Sequence, residues 1–262
     1  LFLKIKRMTT DKYFDKIADG YNRVETGSSP IRQFSESYTL LKLISQKRKN
    51  SVLELACSDG YFTRLLNKAG ANSVLGIDIS SRMIEIARNK SQNCSEGVEY
   101  KVANMFHIAS LGQFDLVFLA FAMSYAKDWE ELLALCRITF DNLNSGGQIF
   151  SMNDNPFLLT DSETGFLKYG KTKKIIPPVK DGATIMVTWN SKDQEGRLQK
   201  VTFNCNYFTY DTIALALSEA GFIDIRMHYP KVSPEGIDSF GCEYWELFLK
   251  HPLLVYFEGK KP

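Results

Sequence analysis

The sequence predicts an α/β protein with a doubly wound, mostly parallel sheet, and three observations support that prediction. Short apolar runs typical of buried strands alternate with amphipathic runs typical of helices from residue 51 to residue 156. The run 114–121 is almost entirely apolar, as expected of a parallel strand covered on both faces. Residues 51–63 have the pattern of a buried strand, a tight turn of small residues and the start of a helix.

The elements follow one another in an order that completes a Rossmann-like fold. Seven strands form the sheet, and we expect the last to be antiparallel; they are predicted at 52–56, 73–79, 98–103, 114–121, 148–153, 223–227 and 253–257. Helices are predicted at 11–21, 31–47, 60–69, 81–90, 129–143, 211–221 and 241–250, the first two preceding the sheet. A β-hairpin insertion is predicted at 183–190 and 198–208, with a turn at 191–196 and a lysine-rich loop before it at 160–178.

Length and composition are those of one large domain. The chain has 262 residues, of which 44% are hydrophobic and 24% charged, which are ordinary values for a globular protein. We expect a single domain over residues 8–262, with Met8 as the natural start. Within it we expect an N-terminal helical lid (8–47), a cofactor-binding core (51–156), a substrate-covering insertion (157–210) and the C-terminal part of the sheet (211–262).

Charge and cysteine content argue against several classes of function. A formal net charge of +2 gives no strong field that would attract nucleic acid or an anionic membrane. The apolar runs are too short to span a bilayer, and we find no secretory signal pattern. The five cysteines form no Cys-x-x-Cys pair and the three histidines are dispersed, so we expect no metal and a reducing, cytoplasmic location.

The turn after the first strand is the most informative segment for function. A dinucleotide-binding turn carries glycine at its first, third and sixth positions, where pyrophosphate meets the backbone. Here those positions hold Ala56, Ser58 and Tyr61, and only Gly60 lacks a Cβ. Such a turn suits a nucleoside ligand without phosphates, for which S-adenosylmethionine is the obvious candidate. Asp78, at the end of the second strand, lies where a carboxylate would accept hydrogen bonds from both ribose hydroxyls.

These motifs resemble those of class I S-adenosylmethionine-dependent methyltransferases, whose first strand and turn read roughly Val-Leu-Asp-Leu-Gly-Cys-Gly-x-Gly. This chain has Val52-Leu53-Glu54-Leu55-Ala56-Cys57-Ser58-Asp59-Gly60 there. The chain is also similar to the toxoflavin-synthase-like branch, which N-methylates a small fused heteroaromatic molecule. That similarity lies in Phe14-Asp15-Lys16-Ile17-Ala18-Asp19-Gly20-Tyr21, Arg32-Gln33-Phe34-Ser35-Glu36-Ser37-Tyr38-Thr39-Leu40, Ala56-Cys57-Ser58-Asp59-Gly60-Tyr61-Phe62-Thr63-Arg64 and Val232-Ser233-Pro234-Glu235-Gly236.

Three positions depart from the family's pattern. Phe14 stands where the branch tends to have tyrosine, Ser58 replaces the middle glycine, and Asn104 stands where an acidic residue often contacts adenine. Each departure either loosens the cofactor site or reshapes it.

The resemblance and the order of elements imply a set of cofactor-binding residues. Glu54 would meet the ammonium of the cofactor, Arg32 its carboxylate and Asn104 its adenine. Gly60 is expected to admit the cofactor because a Cβ would block its approach. The other candidates are Phe14, Tyr21, Ala56, Ser58, Tyr61, Phe62, Asp78, Ile79, Met83, Met105, Phe106, Ala120 and Phe121. Each has a structural alternative: a turn or cap residue, a solvated side chain, or plain core.

Substrate-binding candidates follow the fourth and fifth strands and occur in the insertion: Tyr13, Ser124, Tyr125, Asn153, Asp154, Trp189 and Tyr207. The run beginning at Asn153 superficially resembles the Asn-Pro-Pro-Tyr signature of nucleic-acid amino-methyltransferases. It follows strand five rather than strand four, so a base-flipping enzyme is not favoured. No residue is assigned as a catalytic base, because a cofactor that brings its own electrophile needs orientation and a dry pocket.

The sequence leaves three functions open. The leading one is methylation of a small planar heteroaromatic molecule, at nitrogen or oxygen, by proximity-driven in-line displacement. The second is an NAD-dependent oxidoreductase, against which the missing glycines count. The third is a non-catalytic S-adenosylmethionine-binding module, which the residues at positions 56, 58 and 104 keep open.

Overall fold

The computed structural model describes residues 10–26, 29–92, 96–158, 166–192 and 198–262. The strands among them are β1 (Ser51–Leu55), β2 (Ser73–Asp78), β3 (Val98–Val102), β4 (Phe114–Ala120), β5 (Leu143–Asp154), β6 (Lys171–Ile175), β7 (Thr184–Lys192), β8 (Leu198–Asn206), β9 (Ile223–His228) and β10 (Leu254–Lys260). The helices are α1 (Thr10–Thr26), α2 (Ser37–Ile44), α3 (Tyr61–Lys68), α4 (Ser81–Lys90), α5 (Trp129–Asp141), α6 (Tyr210–Glu219), α7 (Pro234–Phe240) and α8 (Cys242–Lys250). A π-helical turn, Arg32–Glu36, leads into α2.

Seven of these strands form the central sheet, in the order β3-β2-β1-β4-β5-β10-β9. The first five pair in parallel, and β10 pairs antiparallel with both β5 and β9. The predicted fold class is therefore confirmed. The central strand β4 is buried from Phe114 to Leu119, since helices cover both faces of the sheet. The strand order reverses at β1, between β2 and β4, and opens a crevice at their carboxyl ends.

A second, three-stranded antiparallel sheet, in the order β6-β7-β8, contains the predicted hairpin and one further strand. The prediction of a loop over 160–178 was wrong for β6. Lysines at three of its five positions conceal the strand, yet Lys171, Lys173 and Ile175 alternate on its buried face. Most of the predicted turn at 191–196 lies outside the described residues.

Helix α1 lies against the amino end of α4. Asp15 Oδ1 accepts a hydrogen bond from Ser80 Oγ at 2.6 Å and from the backbone N–H of Arg82 at 3.1 Å. Ala18 is fully buried against Met83 of α4. These contacts place the predicted N-terminal helix over the crevice. The expected start at Met8 lies outside the described residues.

The C-terminal part contains a helix that the sequence did not reveal. Ser233 caps α7 by accepting a hydrogen bond from Gly236 N at 3.1 Å. In α8, Trp245 is fully buried and donates its indole N–H to Gly236 O at 2.8 Å, which fixes α8 against α7. None of the helices in the described ranges has both the length and the apolar character needed to cross a bilayer.

Candidate functional site

A cavity of about 500 Å³ lies at the carboxyl ends of β1, β2 and β4, beneath α1 and the second sheet. Its walls bring together most of the side chains that the sequence singled out. Those lining it are Phe14, Arg32, Glu54, Ala56, Ser58, Tyr61, Phe62, Asp78, Ile79, Met83, Asn104, Met105, Phe106, Ala120, Phe121, Ser124, Tyr125, Asp154 and Trp189.

Four predicted residues do not line the cavity. Tyr13 packs edge-to-face on Phe14, with ring centroids 5.3 Å apart, and Tyr207 is buried with its hydroxyl donating to Pro156 O at 2.9 Å. Asn153 is buried and donates to Ser151 Oγ at 2.9 Å. The fourth is Gly60, discussed below. The Tyr21 side chain lies outside the described residues.

The turn after β1 adopts backbone conformations that normally favour glycine. Ala56 has φ +57° and Ser58 has φ +51°, both in the left-handed region. The turn is held in place because Cys57 N donates to Ile77 O at 2.8 Å and Ser58 N to Asp78 Oδ2 at 2.9 Å. Strain of this kind persists where the surroundings over-determine the backbone, which is common at ligand sites.

Gly60 has a different structural role from the one expected. Its φ is +74°, and a Cβ built on it would lie 2.2 Å from Tyr100 Oη and 2.7 Å from Tyr100 Cζ. The space next to this glycine is therefore occupied by a buried tyrosine side chain of β3. Close packing at the start of α3 explains the glycine, whereas the cavity wall of the turn is formed by residues 56–59.

The Asp78 carboxyl is buried at the end of β2 and faces the cavity. Its Oδ2 accepts from Ser58 N and its Oδ1 from Ser80 N, each at 2.9 Å. Burial raises the pKa of Asp78 to about 6, against the lowering effect of these two hydrogen bonds; the Asp15 charge raises it further. Each carboxylate oxygen keeps capacity for a second donor.

Glu54, on β1, is the most deeply buried carboxyl of the cavity, with 1% of the residue exposed. Thr63 Oγ1 of α3 donates to Glu54 Oε2. Burial raises the pKa of Glu54 to about 8, and the nearby charges of Asp59 and Asp78 also raise it. A cation that entered this end of the cavity would favour the ionised form.

Arg32, in the π-helical turn before α2, lies where aromatic rings surround its guanidinium. Its Cζ is 5.2 Å from the ring centroid of Tyr61, 5.6 Å from that of Phe62 and 5.1 Å from that of Trp189. Its Nε lies 3.5 Å from Glu36 Oε2. The guanidinium therefore connects the N-terminal segment with α3 and the second sheet.

Asn104, after β3, is part of the cavity wall and also shapes its own turn. Its Oδ1 accepts from Phe106 N at 3.0 Å. The amide oxygen keeps one lone pair for a donor of the ligand, and the amide N–H₂ group can donate to it. Ile79, Met83 and Met105 supply apolar surface beside it.

The other end of the cavity is aromatic. Phe121, directly after β4, has φ +57°, and its N–H donates to Met152 O at 2.6 Å. Ser124 Oγ donates to Phe121 O at 2.7 Å, which fixes the same turn. Tyr125 packs edge-to-face on Phe14 of α1, with centroids 5.3 Å apart. The residues after β4 are thereby tied to the helix that covers the cavity.

The sequence reasoning missed several lining residues, of which Lys171, Val187 and Cys205 belong to the second sheet. Lys171 Nζ lies 3.7 Å from the ring centroid of Phe121 and 3.8 Å from Asp154 Oδ1. Burial raises the pKa of the Cys205 thiol to about 12, and the Asp154 charge adds to this. The period-two spacing of Lys171 and Lys173 was the one signal that pointed to this strand. Within the described ranges no three His, Cys, Asp or Glu side chains are arranged to hold a metal ion.

In sequence, the chain is similar to one family of domains and to individual known proteins. Residues 52–147 match the family described as "Methyltransferase domain". Over 262 residues the chain is 25% identical to an uncharacterized protein of Haemophilus influenzae, covering 96% of this chain and 95% of the relative. It is 32% identical over 138 residues to a malonyl-[acyl-carrier protein] O-methyltransferase of Hamiltonella defensa, covering 52% of this chain and 48% of that one.

Solved structures share the fold over nearly the whole chain. The CcbJ methyltransferase of Streptomyces caelestis has a TM-score of 0.67 at 16% identity, with 97% of this chain and 99% of that chain covered. CalS10, an amino pentose methyltransferase of Micromonospora echinaspora, has a TM-score of 0.61 at 15% identity, with 98% and 99% covered. At such identities the likeness is one of fold.

Proposed function

We propose that this chain, an S-adenosylmethionine-dependent methyltransferase by its matched domain and its fold, methylates a small planar heteroaromatic molecule at nitrogen or oxygen. The observation that carries the proposal is one cavity whose wall combines the buried carboxyls of Glu54 and Asp78 with aromatic rings that include Phe121, Tyr125 and Trp189. S-adenosylmethionine, when bound, supplies a methyl group on a sulfonium. What remains for the protein is to bind both partners, align them and exclude water.

The carboxyl-lined end fits the methyl donor. The free lone pairs of Asp78 suit ribose hydroxyls, which are donors, and the Glu54 carboxylate suits an ammonium. The guanidinium of Arg32 suits a carboxylate. The apolar wall of Ile79 and Met105 suits an adenine ring. We assign the remaining predicted cofactor residues of the wall to the same ligand, and Phe121 to the boundary between donor and acceptor.

The aromatic end fits a flat acceptor. Phe121, Tyr125, Trp189 and Phe203 present ring surface there, and aromatic surface favours a planar ligand through offset or edge-to-face packing. Alignment of two bound reactants can lower a barrier by about 7–11 kcal/mol, so no side chain is assigned as an indispensable base. We infer that segment 8–47 is a lid over the cavity and segment 157–210 covers the acceptor, while 51–156 forms the donor-binding core.

The relatives' names support a small-molecule acceptor. CalS10 is described as an amino pentose methyltransferase and KedS8, from Streptoalloteichus, as a sugar N-methyltransferase. Both share the fold of this chain. The aromatic lining of the present cavity is the reason for favouring a planar ring over a sugar.

The first experiment is calorimetric titration with S-adenosylhomocysteine, which the donor becomes once its methyl group has been transferred. Asp78→Asn weakens the acceptor of ribose hydrogen bonds, and hydrogen bonds to charged groups contribute about 1.5–3 kcal/mol each. We therefore expect binding about 10- to 100-fold weaker. Asp224→Asn, an exposed aspartate on β9, is the matched control and should bind as the wild type does. Nicotinamide dinucleotide binding without S-adenosylhomocysteine binding would contradict the proposal.

The acceptor is tested by transfer of a labelled methyl group to a panel of fused nitrogen heterocycles, phenols and amino sugars. Label in a heterocycle or phenol supports the proposed acceptor class. Label confined to the sugars would retain methyl transfer and overturn the planar acceptor.

A further inference from the structure

Asp154 and Lys171 form an ion pair in the wall of the cavity, one at the end of β5 and the other at the start of β6. Their side chains are 8% and 9% exposed, so both charges lie largely out of water. The attraction within a buried ion pair offsets the cost of its desolvation only if hydrogen bonds also satisfy the remaining donors and acceptors. The hydrogen-bonding capacity that this pair retains therefore decides what it can bind.

The two groups do not satisfy each other. Lys171 Nζ lies 3.8 Å from Asp154 Oδ1, beyond hydrogen-bond distance. Asp154 Oδ1 has no hydrogen-bond partner among the described residues, and the group next to Oδ2 is the Cys205 thiol, a weak donor, at 4.0 Å. Lys171 Nζ also lies 3.7 Å from the ring centroid of Phe121, which offers a π-face but no lone pair. The pair thus keeps both donor and acceptor capacity.

The charges at this end of the cavity cancel. Lys171 and Asp154 carry opposite charges. The Cys205 thiol is neutral, since burial and the Asp154 charge raise its pKa to about 12. Lys127 and Glu131, also in the wall, form an ion pair with each other at 2.5 Å. These groups together leave no net charge that would select an ionic ligand.

Lys173, the other buried lysine of β6, does not alter this balance. It lies outside the cavity wall and has contacts of its own, among them a hydrogen bond that its Nζ donates to Asn155 O at 3.3 Å. Burial lowers its pKa. A ligand therefore meets the neutral pair. An anion would compete with Asp154 for Lys171 and leave a buried carboxylate unmatched, and a cation would do the same to the lysine.

An uncharged ligand with a donor beside an acceptor can complete both groups. In a ring lactam the N–H nitrogen and the carbonyl oxygen are about 2.2 Å apart, from standard bond lengths. Two nearly parallel hydrogen bonds of about 2.9 Å reach from such an edge to atoms that are 3.8 Å apart. The rings of Phe121 and Trp189, whose centroids are 3.7 and 5.8 Å from Lys171 Nζ, place aromatic surface beside this point.

We propose that Asp154 and Lys171 together bind an uncharged lactam-type edge of the methyl acceptor, in which a ring N–H stands next to a carbonyl. The N–H donates to the Asp154 carboxylate, and the carbonyl accepts from the Lys171 ammonium. This contact orients a planar acceptor without changing the charge of the buried pair, so both side chains are positioning residues. The inference rests on the proposed function, because it assumes that this end of the cavity receives the acceptor.

The test uses three probes built on one six-membered ring. In 2-pyridone the N–H adjoins the carbonyl, in 4-pyridone the two groups lie at opposite ends of the ring, and picolinate is an anion. Each is titrated at millimolar concentration into the protein saturated with S-adenosylhomocysteine, so nothing is methylated during the measurement. Binding of S-adenosylhomocysteine is measured first. If the wild type does not bind it, the proposed function fails and this inference with it, whereas failure with the probes alone refutes only the inference.

We expect 2-pyridone to bind the wild type about 10-fold or more tightly than either other probe, since 4-pyridone completes only one of the two hydrogen bonds and picolinate adds a charge. Asp154→Asn leaves the Lys171 charge without its counterpart and should reverse the preference in favour of picolinate. Lys171→Gln should weaken 2-pyridone binding about 10-fold or more without favouring picolinate. Lys180→Gln, an exposed lysine outside the cavity wall, is the matched control and should keep the wild-type ranking.

A merely structural role of the pair would weaken all probes alike and would not reverse their order. The proposal is wrong if 2-pyridone does not bind, if 4-pyridone or picolinate binds the wild type as tightly, or if Asp154→Asn and Lys171→Gln both keep the wild-type ranking. The ranking of the three probes on the wild type alone decides the matter if a variant does not fold.

Discussion

The buried Glu54 carboxyl predicts that the methyl donor or its product displaces a proton when it binds. In the free protein the pKa of Glu54 is about 8, raised by burial, so about 0.9 of the molecules carry that proton at pH 7. An ammonium placed beside the carboxyl would lower its pKa well below 7. Binding of S-adenosylhomocysteine at pH 7 should then release about 0.9 proton, and at pH 9 about 0.1.

Asp78 contributes little to this signal. Its pKa of about 6, also raised by burial, leaves only about 0.1 proton on it at pH 7. A titration at pH 7 therefore reports mainly the proton on Glu54.

The raised pKa of Glu54 also affects the stability of the free protein. Because the folded state binds the extra proton, the free energy of unfolding should fall as pH rises from about 4.5 towards 8.

The assay is calorimetry with S-adenosylhomocysteine in two buffers of different ionisation enthalpy, since the apparent binding enthalpy then reports the protons exchanged. Glu54→Gln should remove the buffer dependence at pH 7. Glu258→Gln is the matched control: burial raises the pKa of Glu258, but hydrogen bonds from Lys47 and His228 outweigh it and lower the pKa. That carboxylate is ionised throughout, so the control should release the same proton as the wild type. An equal enthalpy in both buffers for the wild type would refute the assignment of Glu54 to the ammonium.

Three further substitutions test the backbone strain in the turn after β1, the attachment of α1 over the cavity and the packing of α8. Ala56→Gly removes left-handed backbone strain of about 1–2 kcal/mol but adds a conformational-entropy cost for glycine of about 0.5–1 kcal/mol. The free energy of unfolding measured in urea should therefore rise by about 0.5–1 kcal/mol. In the control Ala69→Gly, at φ −80°, it should fall instead. Asp15→Ala removes the acceptor of the Ser80 hydroxyl, and α1 should lose protection from hydrogen exchange while β1 keeps it; unchanged exchange would show that Asp15 does not hold α1. Trp245→Phe leaves a cavity and leaves Gly236 O without its donor, so the free energy of unfolding should fall by about 2–4 kcal/mol. A fall of less than about 0.5 kcal/mol would contradict the role of Trp245 in fixing α8.

The central sheet and the donor end were predictable because both depend on local pattern. Apolar runs separated by turns determine where strands lie, and the carboxyl ends of parallel strands meet at one edge. Glu54, Ser58 and Asp78 follow from that rule alone and indeed line one cavity. Whether each of them binds the donor stays a prediction.

The acceptor end was less predictable, because its residues come from segments distant in sequence. Asp154 lines the cavity and its neighbour Asn153 does not, since adjacent residues of a strand point to opposite faces and only the register of β5 decides which. The strand β6 was hidden by lysines, whose hydrophilicity suggested a solvated loop. Its burial depends on pairing with β7, which no local pattern reveals.

The sequence by itself determined the doubly wound sheet, the glycine-poor turn and the acid after the second strand. The tertiary structure alone decided that Tyr100 occupies the space beside Gly60, that Arg32 reaches Trp189, and that Lys171 lies against Phe121. The physical reason is the same in each case. Periodicity records which side of an element is buried, whereas the identity of the partner depends on how distant elements pack.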